Sequence, residues 1–327
     1  MRGYLAGKVA QAFLTLLFVL VFNFILFRVM PGDPASLLLR GTAAYNPQNV
    51  QAERERLGLD KPILVQFGRY MADTFRLEFG DSFIYQGQKV SEVIGQRMWP
   101  TILLVGTSTI ASIAIGLLIG IWGGWRRGTW FDYGSLGFTL FVYAMPEFWF
   151  GMLVLMAFAG GVGPFPSIFP TGGYETVGAD LTGFAHVIDV LNHMVLPFSV
   201  LTIAYLGEYA IIMRNSLIDV MADDFVVTAR AKGVREKQVL WRHVVPNALL
   251  PTWTITMLSL GFVFGGAITI EYVFSWPGLG WLTVQAIEAK DYAVLQTLFL
   301  IFSAAVIVAN LIADVTYMYL DPRVRAA

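Results

Sequence analysis

Long apolar runs separated by short charged stretches organise the whole chain. Residues 9–27 contain no charged side chain, and nineteen residues rising 1.5 Å each are enough for a helix to cross the hydrocarbon core of a bilayer. Five later runs have comparable length, so we predict six membrane-crossing helices. After 9–27 the runs are 98–125, 132 to about 160, 190 to about 213, about 245–270 and about 292–320.

The composition agrees with a protein that crosses a membrane several times. Of the 327 residues, 56% are hydrophobic and 14% are charged, and the mean hydropathy is +0.63. The formal net charge of −1 gives no overall basic field for binding nucleic acid. The chain has no cysteine, which excludes disulfides and thiolate metal sites. No clear small-residue cleavage site follows the first apolar run, so we expect no removable signal peptide.

Basic residues in the short loops predict how the six crossings are oriented. All short loops and ends that carry Lys or Arg pairs fall on one side, which these residues mark as cytoplasmic. The opposite loops agree, since 161–189 has no Lys or Arg and 271–291 has only Lys290. Both termini are therefore predicted to be cytoplasmic. The basic positions are Arg2 and Lys8, Arg126-Arg127, the stretch 214–246, and Arg323 with Arg325.

The pattern divides the chain into four segments. Residues 1–30 hold the first helix, and 31–97 are expected to fold as a small extracytoplasmic element. Residues 98–320 form the transmembrane core, which is interrupted by a charged loop at 214–246. Residues 321–327 are expected to be a short cytoplasmic tail.

The loop at 214–246 is a charged island between apolar runs, with six Lys or Arg and four Asp or Glu. Asp223-Asp224 stands where acidic side chains favour a helix N-terminus, and Gly233 is the residue type that tolerates positive φ just past a helix C-terminus. We therefore predict two short helices that meet at a sharp corner at Gly233, outside the bilayer. A basic helix resting on anionic lipid is the alternative interpretation.

The spacing within this island resembles the cytoplasmic coupling loop of ABC importer permeases. A small residue, Ala229, is followed after four positions by Gly233 and after thirteen more by Pro246. The usual acidic first position is absent, and Val227-Thr228-Ala229 is similar to the peptide/nickel branch of the family instead. Seven further phrases resemble that branch in order and spacing: Met30-Pro-Gly-Asp-Pro34, Arg56-Leu-Gly-Leu-Asp-Lys-Pro62, Phe79-Gly-Asp-Ser82, Arg97-Met-Trp-Pro-Thr101, His193-Met-Val-Leu-Pro197, Glu271-Tyr-Val-Phe-Ser-Trp-Pro-Gly-Leu-Gly280 and Asp321-Pro-Arg323.

This resemblance implies an all-α permease subunit with six transmembrane helices and the type I ABC importer fold, in the inner membrane of a bacterium. It would form half of a pathway for di- or oligopeptides, with a second homologous permease subunit, two ATPase subunits and an extracytoplasmic substrate-binding protein as partners. Oligosaccharides and nickel chelates remain open as substrates. The residues expected to couple to the ATPases are Asp224, Ala229, Arg230, Ala231, Lys232, Gly233, Val234 and Pro246.

No catalytic chemistry is expected in this chain. It contains no Gly-x-x-x-x-Gly-Lys-Ser/Thr phosphate loop and no nucleophile elbow, so ATP and Mg²⁺ would be bound by the partner subunits. His186 and His193 are seven positions apart, which is poor spacing for metal ligands on a helix, and we expect no metal site.

Four acidic residues interrupt the apolar runs. Glu147 is a candidate pathway residue, because carboxylates inside membranes usually face a cavity or a partner; alternatively, Pro146 marks a kink where Glu147 reaches water. Glu271 is a second pathway candidate, weighed against a role in a structural re-entrant turn beside protein or a cavity. Glu208 and Asp314 are explained by solvated ends of their helices.

An ion-coupled secondary transporter or channel is the rival class. It predicts intramembrane ion pairs and internal repeats. The sequence shows isolated acids and a large charged loop near the C-terminal third, which favours the permease. A membrane-embedded enzyme is a weaker third possibility.

Overall fold

The chain folds into α-helices that are packed side by side. The computed structural model describes residues 2–29, 34–39, 46–56, 58–85, 87–161 and 167–320, and no strand occurs among them. The expectation of an all-α membrane protein is therefore confirmed. The helices are α1 Arg2–Val29, α2 Pro34–Leu39, α3 Pro47–Arg56, α4 Ile63–Phe75, α5 Val90–Thr101, α6 Thr107–Trp125, α7 Trp130–Ala144, α8 Glu147–Phe158, α9 Gly183–Met221, α10 Asp224–Ala231, α11 Glu236–Gln238, α12 Val245–Phe262, α13 Ile268–Val273, α14 Leu279–Ala289 and α15 Tyr292–Leu320.

Five stretches of the described chain are long and apolar enough to cross a membrane, and a bent pair of helices supplies a sixth crossing if it is counted as one span. The second stretch, Val90–Trp125, joins α5 to α6 through a π-helical turn, Ile102–Gly106. The third stretch, α9, has 39 residues and extends well beyond the run expected from the sequence; it is the fourth crossing when the bent pair is counted as the third. The phrase Asp321-Pro-Arg323, with the tail 321–327, and most of Met30-Pro-Gly-Asp-Pro34 lie outside the described residues.

The third crossing is bent rather than straight. Helices α7 and α8 meet at 97°, and the break falls at Met145 and Pro146. The residue before a proline is pushed out of the α region, and Met145 has an extended backbone with ψ of 131°. The run expected from 132 to about 160 therefore consists of two helices, with the kink that Pro146 was considered to mark between them.

The fifth crossing, Glu236–Val273, is broken before its end. Helix α12 stops at Phe262, a short 3₁₀ turn follows, and Gly266 adopts a left-handed φ of 70° before α13 begins. A Cβ at Gly266 would lie 2.8 Å from the backbone nitrogen of Gly280, so the chain here needs glycine for both its conformation and its close approach. The predicted end at residue 270 therefore fell inside a separate helix.

A seam of small residues holds α6 against α9. Added Cβ atoms at Gly116 and Gly120 would lie 2.6 Å from the carbonyl oxygens of Leu206 and Ala210. Gly124 repeats the spacing one turn later, against the carbonyl of Arg214 at 3.0 Å. Glycines four apart let two helices approach backbone to backbone, which is how helices without a hydrophobic driving force associate in lipid.

One buried carboxylate ties the segment before α5 to the start of α15. Asp291 is fully buried and accepts hydrogen bonds from Ser82 Oγ at 2.7 Å and from the backbone nitrogens of Phe83 and Ile84 at 2.7 and 3.1 Å. It also accepts from Val294 N at 3.1 Å, which caps the N-terminus of α15. The Phe79-Gly-Asp-Ser82 phrase is thus held by Asp291, which lies 209 positions after Ser82 in the sequence.

Long-range contacts gather the basic segments at one end of the helix bundle. Lys8 Nζ pairs with an Asp314 carboxylate oxygen at 3.0 Å, which places the start of α1 beside the last part of α15. Trp253 Nε1 donates to Thr316 Oγ1 at 2.8 Å, so the first part of α12 lies at the same end. We call this the basic end. The start of α15 and the loop before α5 lie at the opposite end.

Candidate functional site

The charged corner, residues 224–238, closes α10 with a glycine turn. Val234 N donates to the carbonyl of Ala229 at 3.2 Å and Gly233 N donates to the carbonyl of Arg230 at 2.9 Å. This pair of bonds, with Gly233 at a φ of +77°, is the Schellman arrangement that ends helices. The corner predicted at Gly233 is therefore present, and Asp224 is the first residue of α10.

One face of the corner is packed and the other is open. Val226 and Ala229 are buried against the ends of α6 and α9, together with Val239, Leu240 and Val244. The remaining predicted coupling residues lie outward: Asp224, Arg230, Ala231, Lys232 and Gly233 are exposed, and Val234 is half-buried. The outer surface of the corner is mixed, because Phe225 and Val227 are exposed beside these polar and charged residues.

The second half of the corner is not a separate short helix. After α11 the chain passes through a π turn, Val239–Val244, directly into α12 without a break. Pro246 lies at the start of α12, exposed, so it does not end the loop as its place in the motif suggested. The π turn comes just before Pro246, which has no backbone N–H to donate to the hydrogen bonds of a helix. Any movement of the corner is thus continuous with the fifth crossing.

Charged contacts fix the corner to its neighbours. The Arg230 guanidinium donates to both carboxylate oxygens of Glu236 at 3.0 and 3.2 Å and lies 5.7 Å above the Trp125 ring, at the end of α6. The guanidinium of Arg214, in α9, donates to both oxygens of Asp132, in α7, at 2.6 and 3.0 Å. The Asp132 side chain is only 1% exposed. The sequence analysis did not find this pair, because the two residues are 82 positions apart.

Glu147 begins α8 at the 97° bend. Its Oε1 accepts a hydrogen bond from Thr269 Oγ1 at 2.5 Å, and the Tyr205 hydroxyl lies close to the same carboxylate. Glu147 is half-buried, whereas Thr269 is exposed. The carboxylate therefore joins the bend to α9 and α13 while part of it stays accessible.

Glu271 is completely buried and holds the turn between α13 and α14. One oxygen accepts from Thr101 Oγ1 at 3.0 Å and the other from Trp281 N at 3.0 Å. Gly278 passes so close that an added Cβ would lie 2.4 Å from the Glu271 carboxylate. Trp276, also fully buried, donates from Nε1 to the carbonyl of Pro100 at 2.9 Å. These contacts fix the segment between α13 and α14 to α5.

Two regions of the sequence match known families. Residues 112–326 match the binding-protein-dependent transport system inner membrane component family, and residues 1–96 match the N-terminal membrane component of such systems. The chain belongs to the binding-protein-dependent permease family.

Several curated relatives match this permease over nearly its full length. The permease is 35% identical to the oligopeptide transport system permease protein AppB of Bacillus subtilis (strain 168), over 99% of both chains. It is 37% identical to the glutathione transport system permease protein GsiC of Salmonella paratyphi A, again over 99% of both chains. A putative peptide transport system permease protein of Brucella abortus (strain 2308) is 35% identical over the same share. This permease is therefore an inner membrane component of a transport system that depends on a binding protein.

The structure changes the interpretation of two acidic residues in this permease, Asp314 and Glu208. Asp314 is ion-paired with Lys8 and is not merely solvated, so an ion pair near the basic end was missed. Glu208 lies 13 residues before the end of α9, about 20 Å along the helix, because α9 continues to Met221. The assumption that Glu208 sits at a solvated helix end was therefore wrong. The sequence did contain a signal for the longer helix, because no Pro or Gly occurs in residues 209–221 to end it.

The histidines have ordinary polar partners. His186 Nε2 lies 2.6 Å from a Glu175 carboxylate oxygen, and His193 Nδ1 lies 2.9 Å from the carbonyl of Asp189. Among the described residues, no group of three or more His, Cys, Asp or Glu side chains is arranged to hold a metal ion. Near them, the Tyr174 ring packs edge-on against Trp276 at 5.0 Å, and burial raises the pKa of the Tyr174 hydroxyl above its usual value.

Proposed function

We propose that this permease forms half of the translocation pathway of an ATP-driven importer of di- or oligopeptides. A second homologous permease completes the pathway, two ATPase subunits bind at the basic end, and an extracytoplasmic binding protein delivers substrate at the opposite end. The basic end, with both termini, is cytoplasmic because Lys and Arg concentrate there. The names of the relatives, which refer to oligopeptide, peptide and glutathione transport, support peptides as substrates.

The observation that carries this proposal is the construction of the charged corner. Its inner face is fixed by Val226 and Ala229 to the ends of α6 and α9, and its outer face is exposed and carries both charged and apolar side chains. Because the corner continues directly into α12, a push on its outer surface is transmitted to a membrane-crossing helix. An ATPase seated there would change the pathway by moving a rigid two-state element.

The intramembrane acids have different roles in this proposal. Glu147 is half-buried at the bend of the third crossing and is a candidate for contact with substrate. Glu271 has both oxygens occupied by groups of the protein, so we assign it to holding the re-entrant turn. Glu147→Gln is expected to lower the maximal transport rate without changing assembly, and Thr269→Val is the matched control that removes only the partner hydroxyl. Equal effects of the two substitutions would mean that Glu147 serves only to fix the bend.

The experiment that tests the proposal is purification of the tagged permease from its native membrane in mild detergent. We expect an ATPase and a second permease to co-elute, and we expect a peptide-loaded binding protein to stimulate ATP hydrolysis in the reconstituted assembly. Stimulation only by oligosaccharide or by a nickel chelate would change the substrate class. A permease that purifies alone and moves substrate on an ion gradient would contradict the proposal.

A further inference from the structure

A cavity of about 730 Å³ lies among α1, α6, α9, α12 and α15. This volume is within the range of about 300–1,000 Å³ that small-molecule sites occupy. Its only ionisable carboxylate among the described residues is Glu208, accompanied by the hydroxyls of Thr109, Ser259 and Ser303. No role of this cavity follows from the charged corner or from the bend at Glu147.

The cavity lies deep in the membrane. Glu208 precedes Tyr209, which packs against Gly116 of α6, and Gly116 is nine residues before Trp125 at the basic end. Nine residues of helix span about 14 Å, which is close to half of a hydrocarbon core of about 30 Å. Glu208 is therefore well inside the apolar part of its helix, where an ionisable side chain is costly and is a candidate for function.

Glu208 has no partner in the described part of the permease. No ion pair or hydrogen bond of its side chain is found there, in contrast to Asp132, Glu147 and Asp314, each of which has one. An uncompensated carboxylate at this depth favours a positively charged ligand. Its side chain is half-buried rather than sealed, so the cavity leaves it accessible.

The other walls of the cavity define what kind of cation fits. Phe262, Phe299 and Phe302 supply aromatic surface, which attracts both ammonium groups and apolar side chains. A metal ion would need several ligands of the His, Cys, Asp or Glu type, and Glu208 is a single carboxylate. The combination suits an organic ammonium with an apolar body, which describes the free amino end of a peptide and its first side chain.

We propose that this cavity is a substrate subsite in which the Glu208 carboxylate receives the ammonium group of a peptide while the phenylalanines bind its first apolar side chain. The inference rests on the proposed function, since it assumes that peptides reach the pathway. Tyr205 connects the two acids: it lines the cavity and is also a partner of Glu147 at the bend.

The test uses the absence of cysteine from this chain. Ser303→Cys places one thiol in the cavity wall, and its labelling by a small maleimide is followed in the complete assembly without the binding protein. We expect the dipeptide Phe-Ala to slow labelling at concentrations at least tenfold lower than N-acetyl-Phe-Ala. Adding Glu208→Gln should make the two peptides equal. Glu288→Gln, the same change at an exposed position outside the cavity, should leave the difference intact.

Three outcomes would overturn the inference, and a fourth would overturn only the proposed function. Equal protection by the two peptides with Glu208 intact would show an apolar cavity without ammonium recognition. A thiol that no reagent reaches would show that substrate has no access either. Uptake of Phe-Ala by the assembly with its binding protein, without any protection of the thiol, would contradict the subsite and leave the proposed function standing. Protection without peptide uptake would retain the subsite and contradict the proposed peptide import.

Discussion

The buried acids in this permease differ in the groups that bind their carboxylates. Asp132 is paired with Arg214, Asp291 receives donors from the segment before α5, and Glu271 is held by Thr101 and a backbone nitrogen of the turn. Each joins elements that are far apart in the chain. The sequence analysis singled out only Glu271 among these three acids, and the partners of all three depend on tertiary packing and were not predictable from spacing.

Removing one charge of the Asp132–Arg214 pair should destabilise the permease. Asp132→Asn leaves the Arg214 guanidinium, which is 16% exposed, without its buried carboxylate, and we expect a loss of about 3 kcal/mol. Thermal unfolding in detergent measures the loss. The control is Asp219→Asn, at an exposed position in α9, the helix that contains Arg214; this change should have little effect on stability. Adding Arg214→Gln to Asp132→Asn should cost less than the sum of the single changes, and simple additivity would show that the two residues do not interact.

Helices, rather than single contacts, determine how the membrane region is assembled. The apolar runs were enough to predict the five long stretches and the bent pair that makes a sixth crossing when it is counted as one span, because length and hydropathy fix what spans a bilayer. They were not enough for the bend at Pro146, for the break at Gly266, or for the length of α9. Local backbone chemistry and helix packing decide those features, and a continuous apolar composition conceals them.

The glycine seam between α6 and α9 gives a prediction for these elements. Gly120→Ala brings a Cβ to 2.6 Å from the carbonyl oxygen of Ala210, so the two helices must separate. We expect overpacking to cost about 1–3 kcal/mol, seen as a lower unfolding temperature and a lower yield of assembled permease. Gly137→Ala, on α7 where nothing lies within 4 Å of the new atom, should be neutral or stabilising. Equal stability of the two variants would mean that α6 and α9 are not in close contact.

At the scale of the whole molecule, the basic segments of the described residues meet at one end although they are scattered through the sequence. Lys8 with Asp314, Arg214 with Asp132, and Arg230 over Trp125 are the contacts that bring them together. The candidate coupling surface was largely predictable, because a helix start, a glycine corner and basic residues are local signals. The Glu208 cavity was not predictable, since residues from five separate helices line it.

The proposed orientation can be tested in intact cells with single cysteines. Val177→Cys, at a position 98% exposed, should react with a membrane-impermeant maleimide added outside. Arg127→Cys, in the exposed loop at the basic end, should react only after the cells are opened. Reaction of both thiols from outside, or of the thiol at position 127 alone, would contradict a cytoplasmic basic end.

Coupling through the charged corner is tested most directly by comparing two glycine substitutions. Gly233 and Gly128 have φ of +77° and +81°, and neither would bring a new Cβ within 4 Å of another atom, so Gly233→Val and Gly128→Val impose matched backbone strain. Only Gly233 lies in the proposed docking surface. Lys232→Ala serves as a neighbouring control without strain.

The measurement is ATP hydrolysis stimulated by the loaded binding protein, in reconstituted assemblies that carry each variant. We expect Gly233→Val to keep the partner permease but to lose most of the bound ATPase and at least tenfold of the stimulated hydrolysis. Gly128→Val and Lys232→Ala should keep most of both. Wild-type hydrolysis and transport with Gly233→Val would contradict coupling through the charged corner.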